Sequence, residues 1–189
     1  MELKGERLLT ADRMTAWTAL NDIEMLKHCV PGCESFVAAG ENRYEVVMNT
    51  AIGPVKARFK GTVDIADIDP PNSYTMKFDS SGGAAGFARG EVRVALADAG
   101  AGTGLTYAAA VQVGGKLAQV GSRLIDAAAG AMADKFFEAF DTRLRARARA
   151  ELESTQLHLD ADLSRPLQPV SMGFWSLFVA FLKRLFGRR

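Results

Sequence analysis

Tyr44-Glu45-Val46-Val47-Met48-Asn49-Thr50-Ala51-Ile52-Gly53-Pro54-Val55-Lys56-Ala57-Arg58-Phe59-Lys60-Gly61-Thr62-Val63-Asp64-Ile65 reads as two strands joined by a turn. Tyr44, Val46, Met48 and Thr50 alternate with Glu45 and Asn49. Beyond Gly53-Pro54, Val55, Ala57, Phe59, Gly61, Val63 and Ile65 alternate with Lys56, Arg58, Lys60, Thr62 and Asp64. A period of two gives each strand one dry and one wet face. The pattern continues downstream at Tyr74, Met76 and Phe78, at Val92, Val94 and Leu96, and from Leu105 through Tyr107, Ala109, Val111 and Val113. Asp69-Pro70-Pro71-Asn72, Ser81-Gly82-Gly83 and Gly100-Ala101-Gly102 supply the turns between them. Consecutive strands on short turns predict an antiparallel sheet, curved where Gly61 and Gly90 interrupt strands.

On the N-terminal side, Glu2–Leu9 reads as a first strand, with Thr10 as the expected cap of a helix over about 12–20. A second short helix, about 23–28, stops before Pro31-Gly32. On the C-terminal side the period turns helical over about 116–152, long enough at roughly 1.5 Å per residue to cross a sheet. Its apolar positions Leu117, Val120, Leu124, Ala128, Met132, Phe136, Phe140 and Leu144 mostly step by four. Each such step drifts by roughly 40°, so the early half is expected to cover the sheet and the late half another surface.

Hydrophobic residues at 48% and charged residues at 24% are those of an ordinary globular chain. The expected organisation is a domain over 1–154, a linker over 155–169 containing two prolines, and an amphipathic helix over 170–189. Charge follows this division: residues 1–154 carry 18 Lys and Arg against 20 Asp and Glu, and residues 155–189 carry 5 against 2. A slightly acidic body argues against nucleic acid as a partner, which would require a basic face. Cys29 and Cys33 in Cys-Val-Pro-Gly-Cys, with His28 and His158 the only histidines, fall short of a zinc ligand set, so no metal site is expected. The opening residues contain no apolar stretch of an export signal, and two reduced thiols are expected.

In the last segment Phe174, Leu177, Phe178, Phe181, Leu182 and Leu185 recur at helical spacing, flanked by Trp175 and Phe186, with Lys183 and Arg184 off the stripe. Seventeen residues of helix give only about 25 Å, short of a hydrocarbon core of about 30 Å. The expectation is a helix lying in the lipid interface; a partner's groove and this chain's own core are the competing places for it. The glycine-rich stretch Ser80–Gly90 has strands on both sides and lacks the helix a phosphate loop requires, so it is read as a mobile hairpin at a cavity mouth. Arg143, Arg145, Arg147 and Arg149 fall on two helix faces and are read as a solvated helix end.

Strand, two short helices, six antiparallel strands and a long helix is the order of the helix-grip fold, an α+β architecture in which a curved sheet wraps its last helix. Pro31-Gly32-Cys33, Ile52-Gly53-Pro54-Val55-Lys56-Ala57, Phe59-Lys60-Gly61, Asp69-Pro70-Pro71, Gly86, Gly90 and Val113-Gly114-Gly115-Lys116-Leu117-Ala118-Gln119-Val120-Gly121 carry a family likeness. Through them the chain from Met1 to about Glu153 resembles the CoxG family of carbon monoxide dehydrogenase subunits, a branch of the START/Bet v 1-like (SRPBCC) superfamily. The resemblance implies an adaptor that brings an aerobic CO dehydrogenase-type molybdenum hydroxylase to the cytoplasmic face of the cell membrane. It does not fix which hydroxylase.

The run Ala127–Ala131, four alanines and Gly130, puts little bulk in the middle of the long helix. Either helix and sheet pack closely there, or an apolar pocket remains. The candidate pocket walls are Met48, Phe59, Met76, Phe78, Tyr107, Leu117, Val120, Leu124 and Ala128. These positions offer no charge partner, so the expected ligand is neutral: a quinone such as menaquinone or ubiquinone, or an acyl chain. No covalent cofactor and no catalytic residue are expected, because the inward positions lack the His, Asp or Glu that proton transfer requires. A general lipid carrier and a cyclase-like or hydrolase-like enzyme are the rival functions.

Overall fold

The computed structural model describes residues 1–163. Seven strands form one antiparallel sheet in the order β1-β7-β6-β5-β4-β3-β2. They are β1 (Glu2–Leu9), β2 (Cys33–Gly40), β3 (Arg43–Ile52), β4 (Val55–Asp69), β5 (Ser73–Ser81), β6 (Phe87–Ala99) and β7 (Gly102–Gly114). Every neighbouring pair but one is a hairpin; β1 pairs with β7 along its whole length, from Glu2 opposite Ala110 to Leu9 opposite Thr103. The turn at Gly53-Pro54 joins β3 to β4 with Met48 opposite Phe59 and Ile52 opposite Val55.

Helices α1 (Arg13–Leu20) and α2 (Ile23–Cys29) lie between β1 and β2. The α1 cap is Asp12, not the expected Thr10: the Thr15 amide donates to Asp12 Oδ1 at 3.0 Å. Asp22 caps α2 in the same way through the Glu24 and Met25 amides. Thr10 instead turns to the last helix, its amide and hydroxyl both donating to the Asp141 carboxylate.

The long helix starts later and runs further than its periodicity predicts. Gly115–Val120 is a 3₁₀ turn, Gly121 takes φ +90°, and α3 then runs from Ser122 to Leu163. The range expected to be linker is therefore helical through Leu163. The remainder of that range and the whole amphipathic segment, Phe174 to Phe186 included, lie outside the described residues. The chain divides into two units, Met1–Arg149 and Ala150–Arg189. Among the described residues no helix is long and apolar enough to cross a membrane.

The first unit has two hydrophobic clusters. The larger joins Leu9, Ala16, Leu20, Cys29, Leu96, Leu105, Phe140 and Leu144, with Phe140 fully buried. The smaller joins Phe59, Ala85 and Leu117 beneath the β5–β6 loop. Gly82 is required there, because a β-carbon on it would stand 2.8 Å from the Phe59 ring.

Candidate functional site: an apolar cavity in two lobes

Between the two clusters, the concave face of the sheet and α3 stay apart. The space has an outer lobe of about 440 Å³ and an inner lobe of about 310 Å³. Leu3, Val30, Phe36, Met76, Ala133 and Phe136 belong to both walls, so the lobes are one cavity with a waist. The size suits a drug-sized or lipid-sized guest. Larger depressions lie on the sheet's outer face, such as that between Lys4, Thr75, Arg93 and Thr106, but they are shallow and open.

The outer lobe is mostly aliphatic, with phenylalanines interspersed. Met48, Phe59, Met76, Phe78 and Leu117 from the predicted wall line it, joined by Ile52, Val92, Ile125, Ala129 and Met132. The inner lobe is aromatic and receives Tyr107, with Tyr74, Phe136 and Phe137. Tyr107 stacks on Phe137 at 5.6 Å between ring centres, and Phe136 meets Phe137 edge-on at 5.1 Å. Tyr107 can lie across β1 because Gly5 stands opposite it and carries no side chain. Tyr74 is held edge-on by Trp17 at 5.7 Å. Burial in this setting pushes the Tyr74 phenol up to about 12, so it stays protonated and able to donate a hydrogen bond at any physiological pH.

Three predicted wall residues are misplaced. Leu124 is 41% exposed and lies over Gly53, where a β-carbon would stand 2.5 Å from Leu124 Cδ2. Ala128 and Val120 are half-buried but do not line the cavity. The reason is helical phase. Phe136 faces the cavity, and stepping back from it by four three times turns the face by roughly 120° by Leu124. Ile125, eleven positions back, returns to within roughly 20°. Ile125, Ala129 and Ala133, absent from the predicted wall, follow when the phase is set from Phe136 rather than carried over from Leu117, across the 3₁₀ turn and Gly121. Of the methyl run, Ala129 faces the outer lobe.

Polar contacts tie α3 to β1 and the turn after it, and Arg147 pairs with the α2 cap Asp22 at 3.5 Å, while the polar contact toward β3 is weak. Arg7 of β1 pairs with Asp134 while its guanidinium sits 5.4 Å from the centre of the Phe137 ring. Asp141 takes two hydrogen bonds from Thr10 and an ion pair from Arg145 at 2.6 Å. Burial alone would raise the Asp141 carboxyl; these partners outweigh it and hold the group below the usual carboxylate range. Toward β3, the Thr50 hydroxyl approaches Met132 Sδ at 4.0 Å, a weak contact. That is the side on which the outer lobe lies.

Among the described residues, no lining side chain of either lobe is an acid or base of the Asp, Glu, His, Lys or Arg type. The described residues contain no group of three or more His, Cys, Asp or Glu placed to hold a metal. Cys29 and Cys33 are free thiols, both made weaker acids by burial. A sheet gripping a helix around an apolar cavity, with no charged side chain among the described residues of its walls, defines a helix-grip protein built around a hydrophobic space.

Comparison with known proteins agrees. Residues 5–145 match the family described as the CoxG subunit of carbon monoxide dehydrogenase, and the chain belongs to it. A conserved protein of Geobacillus kaustophilus is 28% identical, covering 77% of this chain and 96% of its own, with a TM-score of 0.74. A protein of Thermus thermophilus is 19% identical over 78% of this chain and 99% of its own, with a TM-score of 0.60. The ZhuI aromatase/cyclase of a Streptomyces species shares the fold at 13% identity, TM-score 0.56, over 80% of this chain and 97% of its own. No curated protein matches the sequence.

Proposed function

We propose that this protein is a membrane-recruitment adaptor for an aerobic CO dehydrogenase-type molybdenum hydroxylase, and that its cavity carries quinone between that enzyme and the respiratory chain. The observation that carries the proposal is the two-lobed cavity, whose walls are apolar and free of charged side chains. Its aromatic inner lobe suits a ring that can stack and accept a hydrogen bond from Tyr74; its aliphatic outer lobe suits an isoprenoid chain. Membership of the CoxG family supports the hydroxylase as partner. The amphipathic segment Phe174–Phe186 supports the cytoplasmic face of the membrane as the place of work.

The same walls favour a second reading, a general carrier of lipids, since an acyl chain needs only apolar surface. Catalysis is the weaker alternative: among the described residues, the titratable side chains lining the cavity are the tyrosines Tyr44, Tyr74 and Tyr107, and Tyr74 is held protonated. Native mass spectrometry of the full chain purified from membranes separates the readings. A quinone adduct is the expected result; phospholipid in its place would move the assignment to the general carrier.

A further inference from the structure

The sheet is electrically lopsided along its strands. The turns at Gly53-Pro54 and Gly82–Gly86 and the segment Gly115–Leu124 lie at one end. Here Lys56, Lys60, Lys116 and Arg123 are exposed and have no ion-pair partner among the described residues; of the carboxylates nearby, Glu34 is paired with Arg58 and Asp126 stands beside Arg123, which leaves the cations in excess. The hairpin tips at the opposite end carry Glu41, Asp67, Asp69 and Asp98. The outer lobe also extends toward this cationic end, behind the buried cluster of Phe59, Ala85 and Leu117. Ile52, Leu117 and Ile125 line the lobe, and immediately beside them Leu124 lies over the Gly53 turn with 41% of its surface exposed.

We infer that this end of the domain is itself a docking face for an anionic lipid bilayer, distinct from the C-terminal amphipathic segment. The cations are attracted to the headgroups while the acidic tips are repelled, so the field orients the domain with the outer-lobe end toward the membrane. Leu124 and Pro54 then enter the interface at the point where an apolar guest would leave lipid for the outer lobe. The choice of lipid over a protein as the occupant rests on the proposed function; the face itself does not.

Hydrogen–deuterium exchange of the full chain tests it, with vesicles of phosphatidylglycerol and phosphatidylcholine against phosphatidylcholine alone. The 3₁₀ turn at Gly115–Val120 and the Gly53 turn have short, exposed backbone that exchanges readily. Expected is slower exchange in peptides covering 51–57 and 115–125 on the anionic vesicles only. The triple variant K56Q/K116Q/R123Q loses that protection while the protection of 170–189 persists. Three cations near an anionic surface together contribute on the order of a hundredfold in association, which sets the size of the loss. Protection confined to 170–189 would overturn the inference, as would equal protection on neutral vesicles. Protection that appears only when the hydroxylase is added would give the face to a protein instead. No ligand enters this experiment, so its failure is separate from failure of the quinone reading, which mass spectrometry decides.

Discussion

Ala133→Leu is the sharpest perturbation of the cavity, because Ala133 belongs to the walls of both lobes and the substitution builds into the waist between them. The larger side chain adds three carbons on an established helix, facing space already empty. At about 0.8 kcal/mol for each carbon buried, filling that space is worth up to about 2.4 kcal/mol. Discounting for lost side-chain freedom leaves about 2 kcal/mol, or about 4–8 °C in Tm for a protein of this size. The same carbons obstruct any guest that spans both lobes. The unliganded full chain should therefore melt higher while its affinity for a fluorescent fatty acid such as cis-parinaric acid falls by about tenfold or more, measured by calorimetry and by fluorescence titration. Close helix-on-sheet packing predicts the reverse, since overpacking costs about 1–3 kcal/mol. A lower Tm for the variant would refute the cavity.

Gly5→Val should destabilise the domain by about 1–3 kcal/mol and disturb the near-ultraviolet signal of the aromatic lobe, because its side chain enters the space of the Tyr107 ring. In a spectrophotometric titration one tyrosine should ionise near pH 12, above the ordinary phenol value of about 10, and Tyr74→Phe should remove that step. Since the folded value is raised, this group's contribution to stability is complete below about pH 10 and is lost as pH climbs toward 12. Asp141→Asn should lower stability at neutral pH by about 1–2 kcal/mol. The folded carboxyl is held below its unfolded value, so the gap between wild type and variant should close as pH falls below about 4, which acid-dependent thermal melts will show.

The sheet was legible because its signal is local: alternation at Val55–Ile65 and a Gly-Pro turn determine both strands and their register. The sheet half of the cavity followed from the same alternation, which placed Met48, Phe59, Met76, Phe78 and Tyr107 on the inner face. The helix half did not, because a run of apolar residues four apart is not a straight stripe. Carried from Leu117 across a 3₁₀ turn and a glycine at positive φ, it placed Leu124 and Ala128 where Ile125 and Ala129 belong. The Asp12 cap was hidden for a related reason: Thr10 and Asp12 are both good caps, and it was Asp141, 131 residues away in sequence, that claimed Thr10. The aromatic lobe likewise depended on Phe137 meeting Tyr107, a pairing that local sequence does not encode.

The single non-hairpin pairing of the sheet imposes an order in time. The hairpins from β2 to β7 can zip from their own turns, but β1 must find β7 across about a hundred residues of chain, the slowest kind of closure. Leu3 at the waist and Gly5 beneath Tyr107 both ride on β1. The domain thus closes its interior late: until β1 docks on β7, the wall at Leu3 and the backbone beneath Tyr107 are missing. The same seam is the natural place for the finished wall to part, and the exchange of β1 amides would report how often it does.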